Sequence, residues 1–340
     1  MKHTLIIAAA LALSSCGGNR QKAADPIADS GRTARTEQLS ANLRALGDST
    51  VCLFGQHDAT VYGIGWQADY DNDSTVHSRS DVKSVCNDFP ALLGFDLGHI
   101  EQGADRNLHG VPFSRIRQEV LAHYSRGGLT TLSWTVSRQA VTDEAIDRVA
   151  TFLRSLVTPY GVSVPVLFRL REPSHDATPL PAIITRMKEQ GVANALYVYA
   201  VTATPDGDEA HYMAHYPGDD LIDVIGLDCY CTDGAEADYA ATLDRSLATL
   251  CAVAKQHHKT AALTETGYEG IKTPNWWTAT LAPVLSRHPV SYVLVWRNAH
   301  DNPRHHYAPY PGHPSTSDFL RFYNLPQTLF LHDVNALYLP

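Results

Sequence analysis

Short runs of β-branched and aliphatic residues recur along the chain after residue 50, and most are followed by a segment with helical periodicity. The eight runs span residues 51–58, 91–101, 129–137, 164–172, 195–203, 223–231, 260–267 and 291–299. The amphipathic stretches between them, with apolar residues three and four positions apart, include 112–127, 145–157, 181–191 and 237–258. This alternation predicts βα units and a parallel sheet.

The number of units indicates the architecture. Eight units over roughly 290 residues fit a (β/α)8 barrel, the TIM barrel, better than an open doubly wound sheet, which usually has fewer strands and a glycine-rich phosphate turn. Neither GxGxxG nor GxxxxGK occurs in the sequence. We therefore expect a chain of the α/β class with a single (β/α)8 domain over residues 37–340.

The N-terminal segment predicts export and a lipid anchor. An apolar run over residues 5–13 ends in LSSC at 13–16, which has the length and the small-residue exit of a secretory signal. The same LSSC resembles the lipobox of bacterial lipoproteins, in which Cys16 is lipidated. We expect a signal peptide at 1–15, a flexible tether at 16–36 and a secreted lipoprotein anchored at the outer membrane or cell surface. The alternative is an ordinary signal peptide with an incidental cysteine.

The charge balance limits the kinds of partner. The chain carries 27 Lys and Arg against 36 Asp and Glu, for a net charge of −9. No cluster of basic residues forms the phosphate-neutralising stripe that nucleic acids require, so we expect no nucleic-acid partner. A neutral or polar substrate is favoured, and we expect a monomer.

Side chains able to do chemistry follow nearly every run, and barrel strands bring such residues together at one rim. Glu265 ends the seventh run and Glu172 ends the fourth. Retaining glycoside hydrolysis needs a nucleophilic carboxylate and a carboxylic acid about 5–5.5 Å apart, which strands four and seven can provide. We therefore predict that Glu265 is the nucleophile and Glu172 the acid/base, with no metal or organic cofactor. The residues expected to line the substrate site are His57, Asp96, Glu101, Trp134, Arg169, Tyr230 and Trp296.

Three of these residues have more specific expected roles. Arg169 lies on the fourth strand, where it can hydrogen-bond Glu265 and lower the pKa of that carboxyl. Tyr230 can orient the nucleophile from the end of the sixth strand. Trp296, on the eighth strand, offers a flat apolar face on which a pyranose ring can stack.

From about residue 50 to 325 the chain resembles glycoside hydrolase family 26, the retaining β-mannanases. The most diagnostic segments are HYPGDDLIDVIGLDCY (215–230), ALTETGYEGI (262–271), SYVLVWRNA (291–299) and HYAPYPGHP (306–314). The resemblance implies that Glu265 is the family nucleophile, Tyr230 its neighbouring tyrosine and Trp296 the sugar-stacking tryptophan. It also implies a β-1,4-mannan or a related β-mannoside as substrate.

The resemblance is weakest at the fourth strand. There the family has Arg-Pro-x-His-Glu, whereas this chain reads FRLREPSHDATPLPAI (168–183), with Arg169 kept, Leu170 in place of the proline and Glu172 one residue early. Because a one-residue slip turns a strand side chain to the opposite face, Asp176 is a rival for the role of proton donor. The alternative function is a non-catalytic or weakly active glycan-binding lipoprotein that has lost its general acid.

Overall fold

The barrel strands of the protein follow the predicted order. The computed structural model describes residues 26–28, 30–135, 140–171 and 180–340. The strands are β1 (Cys52–His57), β2 (Leu92–Asp96), β3 (Leu129–Thr135), β4 (Val166–Arg171), β5 (Ala195–Thr202), β6 (Val224–Cys231), β7 (Thr260–Tyr268) and β8 (Tyr292–Val295).

These eight strands form a closed parallel barrel. Each strand pairs in parallel with the next one in the chain, and β8 pairs with β1 to close the ring, with Leu53 opposite Tyr292. A parallel sheet covered on its outer face by helices is buried on both faces, which explains why β1, β2, β7 and β8 consist of buried residues throughout. The predicted (β/α)8 fold is confirmed.

Helices lie between the strands and cover the barrel. They are α1 (Ala34–Gly47), α2 (Asp81–Cys86), α3 (Phe113–Ser125), α4 (Asp143–Arg154), α5 (Leu180–Glu189), α6 (Glu209–Met213), α7 (Glu236–Gln256), α8 (Ala282–Leu285, preceded by a π-helical turn at Trp277–Leu281) and α9 (Thr316–Tyr323). Thr33 caps α1 and Thr142 caps α4, each by accepting a hydrogen bond from a backbone N–H of the first turn. No helix in the described part of the chain is both long and apolar enough to cross a membrane.

The lower end of the barrel is closed by two segments from opposite ends of the chain. Leucines of α1 pack with inward-facing strand residues such as Leu92 and Leu167, and Leu337 and Tyr338 of the C-terminal tail join the same buried cluster. Asn42 of α1 donates to the carbonyl oxygens of residues 336, 337 and 339. The tail therefore packs against this end of the barrel, which leaves the opposite rim for the site.

Most strand limits agree with the predicted runs, and the differences lie at the carboxyl ends. β2 stops at Asp96 and β8 at Val295, although the runs extended to 101 and 299. After each of these strands the chain leaves the sheet and enters the loops of the rim. The predicted signal peptide and most of the tether, with Cys16, lie outside the described residues and stay predictions.

Candidate active site at the barrel rim

Glu265 reaches the inside of the barrel because β7 contains a bulge. Leu227 of β6 pairs with Leu263 and the next residue, Asp228, pairs with Glu265, so Thr264 is the extra residue. The pairing with β8 shifts at the same place. The Thr264 hydroxyl donates to the backbone oxygen of Leu227 and to Asp228 Oδ1, 2.8 Å away, which fixes the bulge. The Glu265 side chain, 2% exposed, therefore lies beside Asp228.

Three side chains donate hydrogen bonds to the Glu265 carboxylate. Arg169 Nη1 lies 3.0 Å from Oε1, while Arg171 Nη2 at 3.0 Å and the Tyr230 hydroxyl at 2.9 Å both reach Oε2. The expected contacts of Arg169 and Tyr230 with Glu265 are thus present. Arg169 also pairs with Asp228, so its guanidinium joins two carboxylates from neighbouring strands. The position of the carboxylate is fixed from three directions.

The pKa of Glu265 differs in direction from the sequence-based expectation. Burial raises the pKa of this carboxyl above its usual value and the negative charge of Asp228 adds to the rise, while Arg169 and Arg171 act in the opposite direction. Arg169 thus lowers this pKa as predicted, but burial and Asp228 outweigh it and the net pKa is raised. The sequence showed the arginine but not the depth of burial or the second carboxylate.

Trp296 follows β8, where its backbone N–H donates to the carbonyl oxygen of Thr266, and its indole has neighbours of two kinds. The ring of His57 packs against the indole with 4.4 Å between ring centroids, and Arg171 Cζ lies 4.9 Å from the indole centroid. His57 is buried, whereas the Arg171 side chain is 28% exposed. Arg171, which the sequence analysis did not identify, therefore links the indole of Trp296 to the Glu265 carboxylate.

A buried ionic cluster lies beneath Trp296. Asp58 Oδ2 accepts hydrogen bonds from the Tyr62 hydroxyl and from His109 Nδ1 at 2.7 Å, and His57 Nδ1 is 3.3 Å away. Burial disfavours the charged form of Asp58, but His57 and His109 outweigh it and hold the pKa of this carboxyl well below its usual range. Sequence reasoning missed His109, because an isolated histidine in a loop carries no pattern.

The same cluster is the group of possible metal ligands in the described part of the chain. Ligand atoms of His57, Asp58 and His109 lie within 4.8 Å of one another. The carboxylate oxygen that faces His109 is already shared with Tyr62. The cluster supports Trp296, because the rings of His57 and His109 both pack against its indole. The distances between ring centroids are 4.4 and 5.8 Å.

Two predicted substrate-contacting residues lie beneath the rim instead of on it. Asp96 is completely buried and accepts hydrogen bonds from Gly98 N at 2.6 Å and Ser133 Oγ at 2.9 Å. Trp134 is also completely buried, and its indole N–H donates to Glu101 Oε2 at 3.1 Å. Because neither Asp96 nor Trp134 presents a surface to the cleft, they support the rim loops, and Glu101 is the member of this group that is partly exposed.

The predicted proton donors follow β4 in the sequence. Glu172 and its rival Asp176 both lie outside the described residues. At the end of β4, Arg169 and Arg171 occupy alternate positions of the strand, and both point toward Glu265.

A cavity of about 750 Å³ opens beside Tyr230. It is bounded by the loops after β6, β7 and β8, and Tyr268 and Tyr307 contribute to its wall. Clefts of about 300–1,000 Å³ accommodate typical small-molecule ligands, so this one has room for a sugar unit. Of the side chains that contact Glu265, Tyr230 lines this cavity, whereas Arg169 and Arg171 do not. Tyr230 itself is 38% exposed and forms an edge contact with Tyr307, with 5.8 Å between ring centroids.

Comparison with known proteins identifies the family. A solved structure described as a family 26 β-mannanase from Bacteroides ovatus shares 38% sequence identity, with 90% of this chain and 98% of that chain covered and a TM-score of 0.83. The chain belongs to glycoside hydrolase family 26. The sequence profile "Glycosyl hydrolase family 26" matches residues 182–279.

Further relatives agree with this family 26 membership. The structure of a Cellulomonas fimi endo-β-1,4-mannanase double mutant is 25% identical, covers 93% of this chain and 80% of its own, and has a TM-score of 0.77. A mannan endo-1,4-β-mannosidase of Bifidobacterium adolescentis is 26% identical over 92% of this chain. The chain spans only 36% of the length of that curated relative. The predicted membership of family 26 is confirmed, and these relatives are described as mannanases.

Proposed function

We propose that this family 26 protein is a retaining glycoside hydrolase that cleaves β-1,4-mannosidic bonds in mannan or related β-mannosides. The observation that carries the proposal is the position of Glu265, a buried carboxylate that a strand bulge turns into the barrel and that Tyr230, Arg169 and Arg171 hold. A carboxylate fixed in this way meets the orientation requirement of a nucleophile. The names of the similar enzymes support mannan as the substrate class.

The reaction would proceed by double displacement. A carboxylate oxygen of Glu265 attacks the anomeric carbon, the glycosidic C–O bond breaks, and an acid protonates the departing oxygen. Water then attacks the glycosyl ester, the acid residue removes the proton of that water, and Glu265 is released. We assign the acid/base role to Glu172, with Asp176 as the alternative, and the platform for the sugar ring to Trp296.

The first experiment tests the nucleophile. We expect the wild-type protein to release oligosaccharides from mannan and to hydrolyse an aryl β-mannoside. The Glu265→Ala variant should be inactive on both substrates. Added azide should restore turnover of the aryl β-mannoside by Glu265→Ala and yield the α-mannosyl azide, because the small anion replaces the missing carboxylate. Glu144→Gln, which alters an exposed carboxylate on α4, is the control and should retain activity.

Two results would contradict the proposal. Sugar binding without turnover of any β-mannoside by the wild type would favour the glycan-binding alternative. A Glu265→Ala variant that hydrolyses the aryl mannoside as fast as the wild type would remove Glu265 from the role of nucleophile.

A second experiment distinguishes the two candidate acids. General acid catalysis typically contributes about 10²–10⁴-fold, and it matters most when the leaving group is poor. Loss of the true acid should therefore reduce hydrolysis of manno-oligosaccharides strongly but leave the first step on an aryl mannoside with a good leaving group nearly intact. Glu172→Gln and Asp176→Asn are compared in both assays, and the variant with the selective loss identifies the acid.

We also propose that the protein is a secreted lipoprotein anchored through Cys16. The support is the sequence alone: the apolar run at 5–13, the LSSC segment and the polar tether. Acyl chains contribute about 0.8 kcal/mol per buried CH₂, so a lipidated cysteine holds a protein firmly to a bilayer. Expression in a bacterial host should give membrane-bound protein that incorporates labelled palmitate, and Cys16→Ser should abolish the labelling. Labelling of the Cys16→Ser variant would contradict the assignment.

A further inference from the structure

Arg171, the last residue of β4, touches the two groups that a sugar ring would use in the proposed reaction. Its Nη2 atom donates to Glu265 Oε2 at 3.0 Å, and its Cζ atom lies 4.9 Å from the centroid of the Trp296 indole. No sequence pattern pointed to this residue. Its guanidinium therefore lies between the nucleophilic carboxylate and the aromatic platform.

That position matters because a reacting sugar needs the same two surfaces. The anomeric carbon has to come to about 3–3.5 Å from an oxygen of the nucleophile before the bond can form. In this structure Oε1 accepts from Arg169, while Oε2 accepts from both Tyr230 and Arg171. On Trp296, the neighbouring His57 is buried whereas Arg171 is partly exposed, so of these two neighbours Arg171 is the one on the solvent side of the indole.

We propose that Arg171 is a displaceable arm that occupies the sugar position next to Glu265 and has to swing aside when the substrate enters. The proposal rests on the function proposed above and adds a residue that determines the affinity of that site. Substrate binding must break the contact of Arg171 with Trp296 and loosen its ion pair with Glu265, so the observed affinity is lower than the sugar contacts alone would give.

A comparison of the two arginines explains why Arg171 moves and Arg169 does not. Arg169 pairs with both Asp228 and Glu265, and its side chain is only 9% exposed. Arg171 has Glu265 as its ion-pair partner among the described residues, and its side chain is 28% exposed. For a long arginine side chain with access to solvent, a change of rotamer costs little free energy. The inner arginine is therefore a fixed support and the outer one a mobile cover.

The test measures sugar binding without turnover. A sulfur-linked mannobiose, whose thioglycosidic bond is not hydrolysed, is titrated calorimetrically into wild type, Arg171→Ala and Arg171→Lys. We expect Arg171→Ala to lower Kd about two- to fivefold, the equivalent of one exposed cation–π contact. Arg171→Lys, which keeps the charge but not the planar group, should lie between the two.

Arg79 supplies a matched control. Its Cζ atom lies 4.7 Å from the centroid of Trp66, so Arg79→Ala removes an arginine–tryptophan contact elsewhere and should leave Kd unchanged. Weaker or equal binding by Arg171→Ala would overturn the proposal, and so would the absence of binding by every protein tested. If Arg171→Ala does not fold, Arg171→Lys decides by the same criterion.

The outcome is separable from that of the proposed function. A wild type that does not cleave mannan, together with tighter binding of the thio-sugar by Arg171→Ala, would remove the hydrolase proposal and leave the displaceable arm. Cleavage of mannan by the wild type, together with weaker binding by Arg171→Ala, would support the hydrolase proposal and remove the displaceable arm. Arg171 would then hold the sugar directly.

Discussion

Replacement of Arg169 by methionine tests the buried charges on which the site depends. Arg169 is buried, with 9% of its side chain exposed, and it pairs with Asp228 and with Glu265, which is also buried. Arg169→Met keeps most of the side-chain volume but leaves two neighbouring carboxylates without their shared cation. Removal of one partner from a buried ion pair costs about 3–5 kcal/mol, so we expect the free energy of unfolding at pH 7 to fall by about that amount.

The assay is urea-induced unfolding followed by circular dichroism, with Arg186→Met as control. Arg186 also makes a two-point ion pair, with Asp147, but both side chains are about a third exposed. Exposed pairs contribute about 0–1 kcal/mol, so the control should lose no more than that. Adding Asp228→Asn to Arg169→Met should recover part of the lost stability, because the charge of Asp228 would otherwise stay without a partner, whereas Glu265 keeps Arg171.

The pH dependence gives a second check on this reasoning. Burial and Asp228 already raise the pKa of Glu265, and loss of Arg169 removes an effect that lowers it. A carboxyl whose folded pKa lies above its unfolded value binds a proton more readily in the native state, so native stability rises as pH falls toward the unfolded pKa. The deficit of Arg169→Met should therefore be smaller at pH 5 than at pH 7. A deficit below 1 kcal/mol at pH 7, or one that grows on acidification, would refute the argument.

Three further predictions follow from the same structure. Tyr230→Phe removes a hydrogen bond to the carboxylate of Glu265 worth about 1.5–3 kcal/mol, so steady-state assays should show kcat for mannan about 10- to 100-fold lower, with the melting temperature little changed. Trp296→Ala should raise KM for manno-oligosaccharides more than it lowers the melting temperature, because a partly exposed platform is lost. Burial lowers the pKa of His77 to about 2 and that of His123 to about 4, so both histidines are neutral in the folded protein. The protein should therefore lose stability as the pH falls below about 6.5, the pKa of histidine in the unfolded chain. His77→Asn, which suits the local φ of 50°, should reduce the loss between pH 7 and pH 4.5 by about 2 kcal/mol in urea unfolding, and an unchanged loss would argue against the buried neutral pair.

The barrel and the carboxylate at its rim could be predicted from the amino-acid pattern alone. Apolar runs of eight to eleven residues separated by amphipathic segments are local patterns, and they placed each strand within five residues of its observed limits. The end of a parallel strand is also a local feature, and it identified Glu265, Tyr230 and Trp296 as neighbours at one rim.

Tertiary structure decided which side chains face the cleft and how they are charged. The extra residue at Thr264 turns Glu265 inward, and only the register of β7 against both of its neighbours reveals it. The same holds for the complete burial of Asp96 and Trp134, which moves them from the cleft to its support. The raised pKa of Glu265 depends on burial and on Asp228 of the adjacent strand, which are distances in space. A linear sequence records the spacing of residues within one strand, whereas these properties arise between strands that closure of the barrel brings together.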